Sequence, residues 1–111
     1  MEIQDKILSG VVVFTIKGSI DASTAPQVSE VLQGHIAKEH LQLVVDMSGV
    51  EYTSSAGLRV LLAAVKETRS KGGDLRLTGV QPDVMKVLTL SGFTNILKVF
   101  ISVDVAVASF S

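Results

Sequence analysis

Runs of β-branched apolar residues alternate along this chain with segments whose apolar side chains recur at helical spacing. Val11–Ile16 is a run of the first kind, Leu41–Met47 is a second mostly apolar segment that indicates a buried strand, and Leu75–Thr78 and Val99–Ile101 indicate shorter strands. Such runs are typical of buried strands. Strands that alternate with helices form a sheet with parallel neighbours joined by right-handed crossovers. The pattern therefore predicts an α/β fold.

The remaining elements follow from turn and capping residues. Ile3–Leu8 reads as a strand that forms a hairpin through Ser9-Gly10. Thr24 and Gln27 predict a capping box at the start of the first helix. Helices are also predicted at Ser55–Lys71 and at Pro82–Leu90. In Ser102–Phe110 the spacing of apolar residues fits both a strand and a helix, and Ser102 as a cap favours the helix. The order is β-β-α-β-α-β-α-β-α, in a mixed, mostly parallel sheet of about five strands with about four helices.

Composition narrows the possible functions. The 111 residues predict one domain spanning 1–111, and the absence of Cys excludes disulfides and thiolate chemistry. A net charge of -1 with 5% aromatic residues argues against nucleic-acid binding. The apolar stretches are far shorter than the roughly 20 residues of a membrane span, and the N-terminus does not resemble a signal peptide. We therefore expect a cytoplasmic protein that binds no membrane, no metal ion and no cofactor.

The connection between the second buried strand and the second helix places hydroxyl groups in a row. Thr53, Ser54 and Ser55 are followed by the small residues Ala56 and Gly57. Functional sites in such sheets collect at the carboxyl ends of the strands. Serine and threonine are common helix caps, and capping is the interpretation that the pattern alone favours. An accessible serine here would also suit a nucleophile or a phosphate acceptor.

A serine hydrolase is the weaker of these two chemistries. Its nucleophile elbow has the form G-x-S-x-G, and Thr53 stands where the first glycine should be. The base of a catalytic triad must be a histidine. His35 is expected in the apolar face of its helix and His40 just before the amino end of a strand, so both should lie on the side opposite Ser55.

Several segments together resemble a known family. The segment Thr53–Leu62 resembles the signature of the anti-sigma factor antagonists, the stand-alone STAS domains, and so do Gly18–Pro26, Val44–Val50 and Leu90–Phe93. The resemblance covers essentially the whole chain in the same element order. It implies a STAS-type fold and a regulatory protein rather than an enzyme.

The resemblance also implies a partner-switching mechanism. The unmodified protein would bind an anti-sigma factor with serine kinase activity and so release a sigma factor. Phosphorylation of Ser55 would end that binding, and a serine phosphatase would reset the switch. Ser54 stands where the family often has Asp. The free protein is expected to be a monomer.

The partner-binding or loop-neighbour residues implied by the family are Asp21, Thr53, Ser54, Ala56, Gly57 and Arg59. For Asp21, an Asx turn before the first helix is an equally good interpretation. A STAS module with another input, such as nucleotide binding or a sensory assembly, is the alternative function.

Overall fold

A single sheet with helices on both faces organises the computed structural model, which describes residues 1–111. The elements in chain order are β1 (Glu2–Leu8), β2 (Val11–Lys17), α1 (Ala25–Ala37), β3 (Gln42–Gly49), α2 (Ser55–Ser70), β4 (Asp74–Thr78), α3 (Pro82–Leu90), a 3-10 turn (Phe93–Asn95), β5 (Lys98–Phe100) and α4 (Val103–Ala108). The strands lie in the order β1-β2-β3-β4-β5, with β1 antiparallel to β2 and the other neighbours parallel. The predicted fold class and element order are confirmed.

The two faces of the sheet have cores of different size. Helices α1, α2 and α3 cover one face, and the large cluster between them and the sheet includes Phe14, Leu43, Val45, Leu75 and Leu77. The short helix α4 covers part of the other face, where it buries Val11, Val13, Val44 and Ala106. Strands β2 and β3 are therefore buried on both faces of the sheet, which explains their continuous apolar segments Val11–Phe14 and Leu43–Val45.

Asp74 is a buried acid at the start of β4 that links this strand to α2. Its carboxylate accepts hydrogen bonds from Nε of Arg69 in α2 at 2.8 Å and from Nε of Arg76 at 3.1 Å. The guanidinium of Arg76 also donates to the Ser109 hydroxyl and lies over the ring of Phe110, 3.9 Å from its centroid. This network holds the C-terminal segment against the sheet.

Local predictions differ from the structure at a few positions. Thr24 does not cap α1 with its side chain, because its hydroxyl oxygen accepts from the N–H of Asp21 at 2.9 Å instead. Ile101, predicted to end the last strand, lies beyond β5 and is 91% exposed. The ambiguous C-terminal segment is a helix, and Ser102 caps it by accepting a hydrogen bond from the N–H of Val105 at 3.2 Å. None of the helices is long and apolar enough to cross a membrane.

Candidate functional site

Two loops leave the carboxyl edge of the sheet side by side and are joined by their backbones. The N–H of Gly18 donates to the carbonyl of Gly49 at 3.0 Å, where the loops begin. Further along, Ile20 forms an isolated parallel bridge with Thr53. Its N–H donates to the carbonyl of Tyr52 at 3.0 Å, and its carbonyl accepts from the N–H of Ser54 at 2.8 Å. The Gly18–Ser23 loop therefore lies against the segment that leads into α2.

The three hydroxyl groups in this segment have different surroundings. Thr53 is buried, with 3% exposure. Ser54 is the N-cap of α2, and its Oγ accepts from the N–H of Gly57 at 3.4 Å. Ser55 is the first residue of the helix and is exposed, and its hydroxyl takes no part in the hydrogen bonds of the loop. Capping thus explains Ser54 and leaves the hydroxyl of Ser55 accessible.

Gly57 allows α2 to start directly against the neighbouring loop. A Cβ atom at this position would lie 2.4 Å from Oγ1 of Thr53 and 2.7 Å from Cγ2 of Ile20. Both distances are shorter than a Cβ contact can be, so any side chain here would push α2 away from Ile20. The glycine follows from this close approach and not from an unusual backbone angle, since its φ is that of the helix.

Asp21 follows Ile20 and organises the turn before α1. Its Oδ1 accepts from the Ser23 hydroxyl at 2.6 Å, from the Ser23 N–H at 2.9 Å and from the Thr24 N–H at 3.1 Å. The N–H of Asp21 donates in return to the Thr24 hydroxyl at 2.9 Å. The hydrogen bond from the Ser23 hydroxyl is the largest of the effects that lower the pKa of Asp21 below its ordinary value. The Asx-turn interpretation is therefore correct, and a role toward a partner remains a prediction.

The outer face of α2 continues the exposed surface that begins at Ser55. Arg59, Ala63, Lys66 and Ser70 are exposed, whereas Leu58, Leu61 and Val65 on the other side are buried in the core. We call Ser55, Arg59, Ala63, Lys66 and Ser70 the α2 stripe. Tyr52, which sequence reasoning did not select, is 54% exposed beside the same loop. An aromatic side chain in a polar loop was the signal that could have identified it.

The two histidines lie away from Ser55, as the sequence predicts. Nε2 of His35 contacts Oδ2 of Asp5 at 2.5 Å, and the Nδ1 atoms of His35 and His40 are 2.9 Å apart. The ring of His35 also packs edge-on against Phe14. His40 immediately precedes the segment that enters β3, whereas Ser55 follows the other end of that strand, roughly 25 Å away at 3.3 Å per residue. Neither imidazole can take a proton from the Ser55 hydroxyl.

The surface around Ser55 is open. The three surface depressions of the molecule are lined by residues of β1 and β2, by Leu8–Ser9 with the C-terminal segment, and by residues around β5 and α3. None includes a residue of the Ser48–Ser55 connection. An open surface of this kind suits contact with another protein better than it suits enclosure of a small molecule.

Comparison with known proteins identifies similar sequences and structures. The sequence model of the STAS domain family matches residues 2–106 of this chain. BtrV of Bordetella bronchiseptica, provisionally named an anti-sigma factor antagonist, is 35% identical over 96% of this chain and 90% of that protein. The anti-sigma-B factor antagonist of Listeria monocytogenes is 31% identical over 89% of this chain and 86% of that protein.

Two solved structures share the fold. An anti-sigma factor antagonist from Mycobacterium paratuberculosis has a TM-score of 0.88 and 25% identity, covering 97% of this chain and 92% of that one. The Bacillus cell fate determinant SpoIIAA in its phosphorylated form has a TM-score of 0.77 and 17% identity, covering 99% of this chain and 100% of that one.

Proposed function

The chain belongs to the STAS domain family and, within it, to the anti-sigma factor antagonists, and we propose that phosphorylation of Ser55 switches it off. In this proposal the unmodified protein binds an anti-sigma factor that is also a serine kinase, and a sigma factor is released. A serine phosphatase restores the binding form. The protein acts in the cytoplasm. It is a binding module and not an enzyme in this proposal, because the kinase supplies the catalysis.

The observation that carries the proposal is the division of roles among the three hydroxyl groups. Thr53 is buried and Ser54 is used as the cap, so Ser55 is the hydroxyl that a kinase can reach. In the transfer, the Ser55 oxygen forms a bond to the γ-phosphorus of ATP, the bond to the bridging oxygen of ADP breaks, and the hydroxyl proton is released.

A phosphate on Ser55 is compatible with the folded domain. Ser55 is the first residue of α2, where N–H groups without helical partners and the positive end of the helix dipole favour an anion. Arg59 lies four residues along on the same side of the helix, a spacing at which opposite charges on a helix attract each other. We therefore expect phosphorylation to change the free energy of unfolding by no more than about 1 kcal/mol.

The partner surface consists of the Ser48–Ser55 connection, the Gly18–Ser23 loop and the α2 stripe. The hydrogen bonds around Ile20 keep the two loops in one position relative to α2, so the partner meets a preformed surface. The partner seats the neutral Ser55 hydroxyl in a close contact. A phosphate adds about −1.5 to −2 charges to that contact, and its desolvation removes several kcal/mol of binding, about a hundredfold or more in affinity.

Site mapping tests the acceptor. The protein is incubated with ATP and each anti-sigma factor kinase encoded in the same genome, and the phosphate is located by mass spectrometry. Ser55→Ala should abolish incorporation, while the matched variant Ser54→Ala should keep it and lose only the cap. Phosphate on Ser54 or Thr53 would overturn the assignment.

Affinity measurements test the switch. Ser55→Ala should bind the anti-sigma factor as tightly as the unmodified protein, and Ser55→Asp should weaken binding in part, since it adds one charge and less bulk. The phosphorylated protein should bind about a hundredfold or more weakly while its melting curve and its strand amide shifts stay the same. Amide shifts that spread through the strands would indicate a refolding switch instead.

A pair of charge changes tests the surface. Arg59→Glu on the α2 stripe should weaken binding to the anti-sigma factor, and His40→Glu at the other end of β3 should not. The reverse result would place the interface on the other edge of the sheet. Tight binding of a nucleotide with no binding of any anti-sigma factor would favour the alternative STAS module with another input.

A further inference from the structure

The strand β1 has an open edge. It pairs with β2 on one side and has no strand on the other. Its hairpin turn has positive φ at both Ser9 and Gly10, which is a two-residue type I′ turn, so Leu8 and Val11 form the hydrogen-bonded pair that closes it. Because such pairs alternate along an antiparallel ladder, the even-numbered residues of β1 bond to β2.

The odd-numbered residues Ile3, Asp5 and Ile7 consequently direct their N–H and C=O groups away from the sheet. None of the backbone hydrogen bonds outside the regular elements involves a residue of β1. This edge is also solvent-exposed along most of its length, and the Ile7 side chain is 62% exposed. Unpaired N–H and C=O groups in a row are a template for another strand.

The sequence of β1 is complementary to itself in one antiparallel register. With Gln4 opposite Gln4 of a second copy, Glu2 lies opposite Lys6 of that copy, and Lys6 lies opposite its Glu2. In the same register Met1, which is 38% exposed, lies opposite the exposed Ile7. Opposite charges and apolar side chains that face each other directly are the favourable cross-strand pairs.

Other symmetric registers lack this match. A shift that centres the pair on Asp5 places two carboxylates directly opposite each other, and a shift to Lys6 does the same with two ammonium groups. Like charges in directly opposite positions destabilise a strand pair. The charges of β1 therefore select the register centred on Gln4.

We propose that the open edge of β1 is a self-association site, at which a second copy of this chain pairs antiparallel about a two-fold axis at Gln4. The two sheets become one continuous ten-stranded sheet. Because β1 is only seven residues long, the area buried is below the roughly 1,200–2,000 Å² of stable complexes, so the dimer forms at high protein concentration and the chain is a monomer when dilute.

Charge reversal at the two paired positions tests the proposal. Glu2→Lys and Lys6→Glu each place like charges opposite each other twice per dimer, so each should raise the dimer Kd about tenfold or more. An equimolar mixture of the two variants restores both opposite-charge pairs and should form a heterodimer with about the original Kd. Analytical ultracentrifugation up to about 1 mM protein measures these constants, and Glu30→Lys with Lys86→Glu is the control pair for changed net charge.

Amide hydrogen exchange tests the geometry independently. The N–H groups of Ile3, Asp5 and Ile7 should become more protected as concentration rises, while those of Gln4 and Lys6 are protected at all concentrations. Absence of wild-type dimer at the highest concentration, or failure of the mixed variants to pair, would overturn the proposal. Ser55→Ala should leave the dimer Kd unchanged, so the outcome is separate from that of the phosphorylation experiments.

Discussion

Replacement of Gly57 by Ala should destabilise the domain although alanine is the better helix former. A Cβ at this position would lie 2.4 Å from Oγ1 of Thr53, 2.7 Å from Cγ2 of Ile20 and 3.0 Å from the carbonyl oxygen of Ile20. Two of these neighbours are in the core or the backbone, so the start of α2 must move away from the Gly18–Ser23 loop.

The expected magnitude is a difference between two opposing effects. Overpacking of this kind costs about 1–3 kcal/mol, whereas a glycine-to-alanine change inside a helix gains about 0.5–1 kcal/mol. The net loss should be about 1–2 kcal/mol, which lowers the Tm by roughly 3–10 °C in a domain of this size.

Gly34 in α1 is the matched control. A Cβ there would have no atom within 4 Å, so Gly34→Ala should stabilise the domain by about 0.5–1 kcal/mol. Urea and thermal denaturation of the two variants measure both values. The double variant Thr53→Ala/Gly57→Ala should recover part of the loss, because the closest contact is with Oγ1 of Thr53. Equal stabilisation by Gly57→Ala and Gly34→Ala would refute the close approach.

Three other changes test separate parts of the structure. Asp74→Ala leaves Arg76, whose side chain is 13% exposed, without its carboxylate partner. The change should lower the free energy of unfolding, measured by urea denaturation, by about 3–5 kcal/mol. A loss below about 1 kcal/mol would contradict the role of this network. Leu61→Ala in the core should cost about 2–5 kcal/mol, whereas the exposed Leu90→Ala should cost less than about 0.5 kcal/mol, and equal losses would contradict the assigned faces of the helices. The hydrogen bonds that lower the pKa of Asp21 make its carboxylate stabilising above the unfolded pKa, and this stabilisation is lost as the pH falls through the lower, folded value. Asp21→Asn should therefore show a smaller loss of stability than the wild type on acidification below about pH 4; parallel acid curves would contradict this.

Part of the candidate site could be read from the sequence because its signals are local. A row of hydroxyls before a helical pattern predicts a helix start, and the small residues after it predict an accessible serine. The division of roles among Thr53, Ser54 and Ser55 was not predictable, because it depends on the backbone bridge that joins Thr53 to Ile20 of the other loop. The error at Thr24 has a local origin, because its hydroxyl accepts from the N–H of Asp21 and donates to the carbonyl of Ser19 within the turn, instead of capping the helix.

The sequence by itself determined the order of strands and helices, because hydrophobic periodicity and turn residues act within a few positions of each other. Tertiary structure decided which parts of those elements meet. The contact of Gly57 with Ile20 joins residues 37 positions apart, and the burial of Asp74 depends on arginines from two elements. Neither arrangement leaves a periodic trace, because each depends on the distance between packed elements and not on spacing along the chain. The open edge of β1 depends on both the sequence and the tertiary structure, since its charges are read from the sequence while its exposure is set by its position in the sheet.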